Sequence, residues 1–431
     1  MNYPETLQYM EGLLGSGMKL GLENISLLLE RMGSPQNQVP AIHVGGSNGK
    51  GSVCAFLSSI LVEAGYRVGL STSPHLVNLE ERIALDNNPI SPEMLAEAVT
   101  HVRGQVEALQ AEGILERTPT YYEFLVATSF HVFHANRCDF QIIEVGMGGR
   151  LDATNTMKKP LLCVVTRIDM EHTAHLGSTL EKIAVEKAGI ARPGVPVVTY
   201  EGREETLKAL RDAARQKGAT LIEARRDSSI EMDDDGNAVA RVGRMTYKDL
   251  SIPLPGRHQR ENLLLALRIV EQLKTQGFEI TQDHVALGVE RTRWPGRLEM
   301  VRNHPTLLLD GAHNPAGAAA LVTYLDTMPK DGKLLLIFGA MKDKDIVGVM
   351  ETLLPRAAQV FLTRAAVQRS EDPENLARMA RPLHEHITVV PDPGEALEQA
   401  LAQAEQQDVV LVAGSLILVG DIHRYLAAGE G

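Results

Sequence analysis

A glycine loop set between an apolar strand and an apolar helix constrains this chain more than any other feature. Residues 39–44 read as a strand (VPAIHV). Gly45-Gly46-Ser47-Asn48-Gly49-Lys50-Gly51-Ser52 follow at once, and Val53, Phe56, Leu57, Ile60, Leu61 and Ala64 then recur at helical spacing. That order makes a phosphate cradle. Glycines let the backbone turn sharply, so several N–H groups point at one anion, and the helix N-terminus adds its positive end. Lys50 is placed to neutralise β- and γ-phosphates, and Ser52 to reach Mg²⁺. The match to G-x-x-x-x-G-K-[ST] is imperfect, because Gly51 stands between Lys50 and Ser52. An ordinary glycine-rich strand-to-helix turn is the competing reading.

The alternation continues along the chain. Residues 68–71, 142–145, 161–166 and 196–199 read as further strands separated by helical patterns. This predicts an α/β fold with a parallel sheet and helices on both faces. Thr292-Arg293-Trp294-Pro295-Gly296-Arg297 breaks the pattern, and a fresh alternation follows, with strands expected at 307–309, 334–338, 360–363, 388–390 and 409–412. The boundary therefore falls near residue 296, giving domains of residues 1–295 and 296–431. Residues 223–252 are charged and turn-rich (Asp233-Asp234-Asp235-Gly236-Asn237) and predict a short β-hairpin appendage.

The formal net charge is −12 and no Lys/Arg-rich run occurs, which argues against a nucleic-acid partner. Cys54, Cys138 and Cys163 lie in apolar segments outside any C-x-x-C motif, so buried free thiols in a reducing compartment are expected. The first residues lack a basic start followed by an apolar run, and no apolar stretch approaches the ~18 residues of a membrane span. A cytoplasmic protein is the expectation.

Several residues carry chemistry with a bland reading beside it. Glu144 ends the apolar run IIEV, where a carboxylate near a phosphate loop suits Mg²⁺, or merely faces solvent. His172 follows VVTRIDME, and a lone His is more often structural. Lys187 lies in the helical stretch EKIAVEKAGI and reads by itself as a solvated lysine paired with a glutamate. Asp310-Gly311 reads as a tight turn. Tyr122 suits stacking on a planar ring, or, with Tyr121 and Phe124, a place in the core.

From the loop onward the chain resembles the folylpolyglutamate synthase/dihydrofolate synthase family, a branch of the Mur-ligase-like enzymes. The loop resembles G-T-N-G-K-G-[ST] with Ser47 for the Thr. Further blocks follow in family order: Thr72-Ser73-Pro74-His75-Leu76, Glu81-Arg82-Ile83, Glu144 through Asn155 (EVGMGGRLDATN), Glu186-Lys187-Ala188-Gly189-Ile190, Gly256-Arg257-His258-Gln259 with Asn262, Trp294-Pro295-Gly296-Arg297, and Asp310-Gly311-Ala312-His313-Asn314-Pro315.

The resemblance implies a P-loop ATPase domain and a smaller Rossmann-like C-terminal domain. It implies an ADP-forming ligase that joins L-glutamate to dihydropteroate, to reduced folates, or to both. Gly46, Ser47, Asn48, Gly49, Lys50, Gly51 and Ser52, with Asn262, Arg297 and Asp310, would bind ATP. Ser73, Glu144, His172 and Ser52 would serve Mg²⁺ at two sites, with a monovalent cation also in prospect. Lys187 would be carbamylated. Asp310 and His313 would lie around phosphate and the incoming glutamate, with His313 a candidate base. Arg82, Thr120, Tyr122, Asp152 and Ala153 would line the acid substrate's pocket. A monomer is the family default. Asn24 stands where the family often has Arg, and Leu416-Ile417-Leu418 where it often has Tyr. A monofunctional folylpolyglutamate synthase, a Mur-type ligase for a cell-wall precursor, and a nucleotide-dependent switch remain alternatives.

Overall fold

In the computed structural model, residues 1–17, 21–232, 237–329 and 331–429 are described. An eight-stranded sheet runs from edge to edge as Asn88–Pro89, Ile83–Leu85, Val68–Ser71, Phe140–Glu144, Ala41–Gly45, Leu162–Val165, Val197–Thr199 and Leu221–Glu223. The last six are parallel, and the first two form an antiparallel ribbon on Val68–Ser71. Ala41–Gly45 and its neighbour Phe140–Glu144 are buried at every residue, which is why they read as mainly apolar runs, with His43, Gln141 and Glu144 as the polar exceptions. Helices Lys50–Glu63 and Arg257–Thr275 cover one face through Phe56, Leu57, Ile60, Leu264 and Leu267. Helices Pro92–Ala111 and Tyr121–Ala135 cover the other.

A second sheet orders Glu299–Asn303, Thr306–Leu309, Val409–Ala413, Leu334–Phe338, Gln359–Leu362 and Ile387–Val389. Only its first strand is antiparallel. All the expected strands are present, displaced by one or two residues at their ends. Ile83–Leu85, Asn88–Pro89, Leu221–Glu223 and Glu299–Asn303 were not foreseen. They are short edge pieces, too polar or too brief for a periodicity to register.

The appendage is larger than a hairpin. Ser228–Met232, Ala238–Val242 and Met245–Leu250 form a three-stranded antiparallel sheet. Its inner face, with Ala238, Ala240, Val242, Tyr247 and Leu250, is buried in the core beside helix Arg257–Thr275, so it is an integral layer. The expected turn at residues 233–236 lies outside the described residues. Cys54, Cys138 and Cys163 are buried free thiols, as expected. Among the described residues, no helix is long and apolar enough to cross a membrane.

Candidate active site

The carboxyl ends of strands from both sheets border one cleft of about 1320 Å³. One wall carries residues that follow Ala41–Gly45, Val68–Ser71, Phe140–Glu144 and Leu162–Val165. The other carries residues that follow Thr306–Leu309, Leu334–Phe338, Gln359–Leu362 and Val409–Ala413. Ligands of parallel α/β sheets bind beyond the carboxyl ends of their strands.

The glycine loop floors this cleft. Ser47 N–H donates to the Arg167 carbonyl at 2.8 Å, and the Ser47 hydroxyl to the Asp169 carbonyl at 3.0 Å. Gly49 caps helix Lys50–Glu63 at φ +88°, and a Cβ there would overlap the Asn262 amide. Asn262 thus lies against the loop itself. Gly51 is explained likewise: the Trp294 indole packs where its Cβ would stand. The Lys50 ammonium donates to the carbonyls of Gly46 at 3.0 Å and Ser47 at 3.2 Å.

Beside the loop, Glu144 is buried and takes the Ser73 N–H at 3.0 Å. Burial raises its pKa, against the lowering pull of Lys50, Arg297 and Arg82. No three His, Cys, Asp or Glu side chains gather as a metal cage among the described residues. Glu144 does share the cleft with the hydroxyl-bearing Ser52 and Ser73, the latter bonded to it through its N–H. Such hard oxygen donors fit Mg²⁺, which is commonly held by one or two carboxylates plus substrate phosphates.

His172 also lines the cleft, but its Nε2 meets the Lys344 ammonium at 3.5 Å. Burial, then the charge on Lys344, lowers its pKa. Lys187 is 1% exposed, with Nζ 2.6 Å from Glu171 Oε1. It is therefore no solvated surface lysine. Burial pulls its pKa down while Glu171 pushes back. Burial alone would raise Glu171, but Lys187 and Lys50 outweigh it and hold the carboxyl at about 2.

On the opposite wall Arg297 is half-buried and lies in the fields of Asp310 and Glu144. Asp310 accepts the Leu298 N–H at 2.8 Å and the Ala312 N–H at 2.9 Å, so both its oxygens shape the turn. His313 is held through Nδ1 on the Gly311 carbonyl at 2.9 Å, and burial lowers its pKa to about 4. The walls meet where Asn314 Nδ2 donates to Asn48 Oδ1 at 3.0 Å.

At the far end, Arg82 donates from Nε to His75 Nδ1 at 2.9 Å. Thr120 is committed to a capping box with Glu123 at the start of helix Tyr121–Ala135. Tyr122 packs on Gly146, where a Cβ would strike its ring. Ala153 is buried, and Asp152 is fixed by the Met147 N–H at 2.9 Å and by the Thr154 hydroxyl at 2.6 Å. That hydroxyl lies 2.8 Å from Nε2 of buried His43. Because Thr154 donates to the carboxylate, His43 must donate to Thr154. Burial lowers its pKa to about 3, which keeps the ring neutral. Thr154→Val should leave two buried groups short of a partner and cost about 1–3 kcal/mol in urea unfolding, with the m-value unchanged.

Residues 44–270 match the Mur ligase middle domain, and residues 296–416 match the Mur ligase, glutamate ligase domain. A dihydrofolate synthase/folylpolyglutamate synthase of Bacillus subtilis is 32% identical, over 98% of this chain and 99% of its own length. The chain belongs to the dihydrofolate synthase/folylpolyglutamate synthase family of Mur ligases. Among solved structures of this family, Escherichia coli FolC in complex with DHPP and ADP superposes with a TM-score of 0.90 at 30% identity, covering 100% of this chain and 99% of that one. A bifunctional folylpolyglutamate synthase/dihydrofolate synthase with Mn, AMPPNP and L-glutamate bound gives 0.86 at 29% identity, covering 99% and 98%.

Sequence reasoning missed Asp169, Glu171 and Lys344 of this family member's cleft region, and it gave no separate role to Asn314. Asp169 and Glu171 follow a buried strand, the signal that picked out Glu144. Asn314-Pro315 is a helix-start signature, and Asn314 does cap helix Pro315–Leu325. Nothing local marks Lys344, which reaches His172 from the other wall.

Proposed function

We propose that this protein is an ATP-dependent, ADP-forming ligase that adds L-glutamate to dihydropteroate and to the γ-carboxylate of reduced folates. The observation that carries this reading is the shared cleft, with a phosphate loop on one wall and Arg297, His313 and Asn314 on the other. On this reading residues 1–295 form the ATP-binding domain and residues 296–431 the glutamate-side domain. A cytoplasmic monomer without nucleic-acid partners goes with it.

A carboxylate is a poor electrophile and must be activated. The acid's carboxylate oxygen attacks the γ-phosphorus of ATP, ADP departs, and an acyl phosphate forms. The glutamate amine then attacks the acyl carbon, loses a proton, and inorganic phosphate leaves as the amide bond closes. The protein's tasks are positioning and charge neutralisation. Loop N–H groups and Lys50 hold the β- and γ-phosphoryl oxygens. Arg297 offsets charge from the other wall. Asn262 sits where it orients the nucleotide over Gly49, and Asp310 keeps the turn that presents His313. Arg82, Thr120, Tyr122, Asp152 and Ala153 line the acid's end. Contact between the walls excludes water, which would hydrolyse the intermediate.

Ser52, Ser73, Glu144 and His172 are the residues to hold Mg²⁺ at two sites, with a monovalent cation as a further occupant. Bound there, the metal would neutralise phosphoryl charge. For His172 this requires Lys344 to withdraw. Lys187, buried beside Glu171, is the proposed carbamylation site.

His313 bears on pH dependence. A histidine with a lowered pKa loses its neutral form only as pH falls through that value, here about 4. The kcat/KM profile should therefore show no His313 titration across neutral pH, and His313→Gln should lower activity without moving the neutral limbs. A limb near the ordinary histidine value that vanishes in His313→Gln would contradict this environment.

The decisive assay measures glutamate-dependent phosphate release with dihydropteroate and tetrahydrofolate side by side. Activity with both supports the bifunctional reading, and activity with tetrahydrofolate alone means a monofunctional synthase. Turnover of a uridine-linked peptide instead of either acid points to a cell-wall ligase. ATP hydrolysis indifferent to acid and amine would leave only a nucleotide switch.

A further inference from the structure

Residues 72–78 cross from one wall of the cleft to the other, and one carboxylate, Glu81, holds the last three of them. Glu81 accepts three backbone N–H groups: Leu76 at 2.7 Å on Oε2, and Val77 at 3.0 Å and Asn78 at 2.7 Å on Oε1. A capping box on the short helix Leu79–Arg82 accounts for the Asn78 contact. It does not account for Leu76 and Val77, which lie upstream of the cap.

Both ends of the segment are fastened. Ser73 N–H is fixed to Glu144 at 3.0 Å, and Thr72 N–H to the Arg82 carbonyl at 3.1 Å. At the other end Leu76 packs into the apolar cluster of the second sheet with Leu418 and Val419. Its carbonyl lies so close to Gly420 that a Cβ there would overlap it, and Arg424 reaches the Val77 carbonyl at 3.5 Å. Between these anchors His75 takes the Arg82 Nε–H, and Ser73, Pro74, His75 and Arg82 all line the cleft.

We propose that Glu81 is a positioning residue for the acid substrate. It gives residues 72–78 one backbone shape that aims His75 and Arg82 at the acid's end of the cleft while Leu76 stays seated on the second sheet. The inference rests on the ligase reading above. A carboxylate supplies the acceptors for three N–H groups together, whereas Gln in its place keeps one carbonyl oxygen and Ala none. Loss should therefore be graded. Among the described residues Glu81 binds only Leu76, Val77 and Asn78, while Ser73 is held separately by Glu144, so the nucleotide and its metal should not feel the change.

The test uses the full chain with Glu81→Gln and Glu81→Ala. Amide exchange of residues 76–78, without substrates, reads the brace directly: protection should fall by about tenfold or more in the alanine variant and less in the glutamine variant. KM for dihydropteroate and tetrahydrofolate should rise by about tenfold in Glu81→Ala, while KM for ATP stays within about twofold. Unchanged exchange, or an ATP KM that climbs in step with that of the acid, would overturn the proposal. Should the alanine variant not fold, the glutamine variant carries the same comparison. A wild-type chain inactive on both acids would sink the ligase reading, and the exchange arm would still decide whether Glu81 orders the segment.

Discussion

Lys50→Ala is expected to lower turnover by about 10²–10³-fold while the protein remains folded. Removing one preorganised group from the charge that develops in a transition state typically costs that much. Here the ammonium sits on the loop that would cradle the phosphates, bonded to the Gly46 and Ser47 carbonyls. Beyond those two bonds its charge acts on Glu144 and Glu171, which it attracts, and on Lys187, which it repels. These opposed contributions should keep the shift of the thermal midpoint to about 2–4 °C. Lys50→Arg should not rescue, because a planar guanidinium cannot replace a compact ammonium inside the loop. Phosphate release at saturating ATP, with the melting curve alongside, checks this. Turnover near that of the wild type would remove the loop from the chemistry and the ligase reading with it.

The loop was legible because two independent signals coincide there: glycines that permit the turn, and a change of periodicity from strand to helix. Glu144 was legible as a charge ending an apolar run. Lys187 was not legible as a buried group from charge alone, since EKIAVEKA looks like a solvated helix. Periodicity did contain the answer. Ile183, Ala184, Lys187 and Ala188 fall on one buried stripe, so the lysine occupies a core position. Its partner Glu171 lies 16 residues upstream, beyond the short helix Thr173–Leu176, which no local pattern reports. The three-stranded sheet at 228–250 was half legible: its charged outer face hid an inner face of Ala, Val and Tyr. Contacts between the walls, such as Asn48 with Asn314 and Leu76 with the second sheet, depend on how two sheets dock and leave no trace in local spacing.

Lys187 also sets up the sharpest test of the modification. Unmodified, it forms a buried ion pair with Glu171, and removing one member of such a pair typically costs about 3–5 kcal/mol because a charge is left uncompensated. Carbamylation reverses the sign on Nζ and would put two anions in contact at a site 1% exposed. That arrangement needs a cation between them or movement of Glu171. The carbamate should therefore form only when Mg²⁺ and bicarbonate are both supplied, visible as the mass of one carbon dioxide on the peptide containing Lys187. Lys187→Ala should abolish most activity, and short carboxylic acids such as formate or acetate should restore part of it by standing in for the carbamate. Lys187→Met with Glu171→Gln should recover stability without activity, since it removes both charges and keeps the volume. Formate rescue with no mass change would leave an anion requirement met by some other group. Full activity of the alanine variant without added acid would show that the buried lysine serves the fold alone.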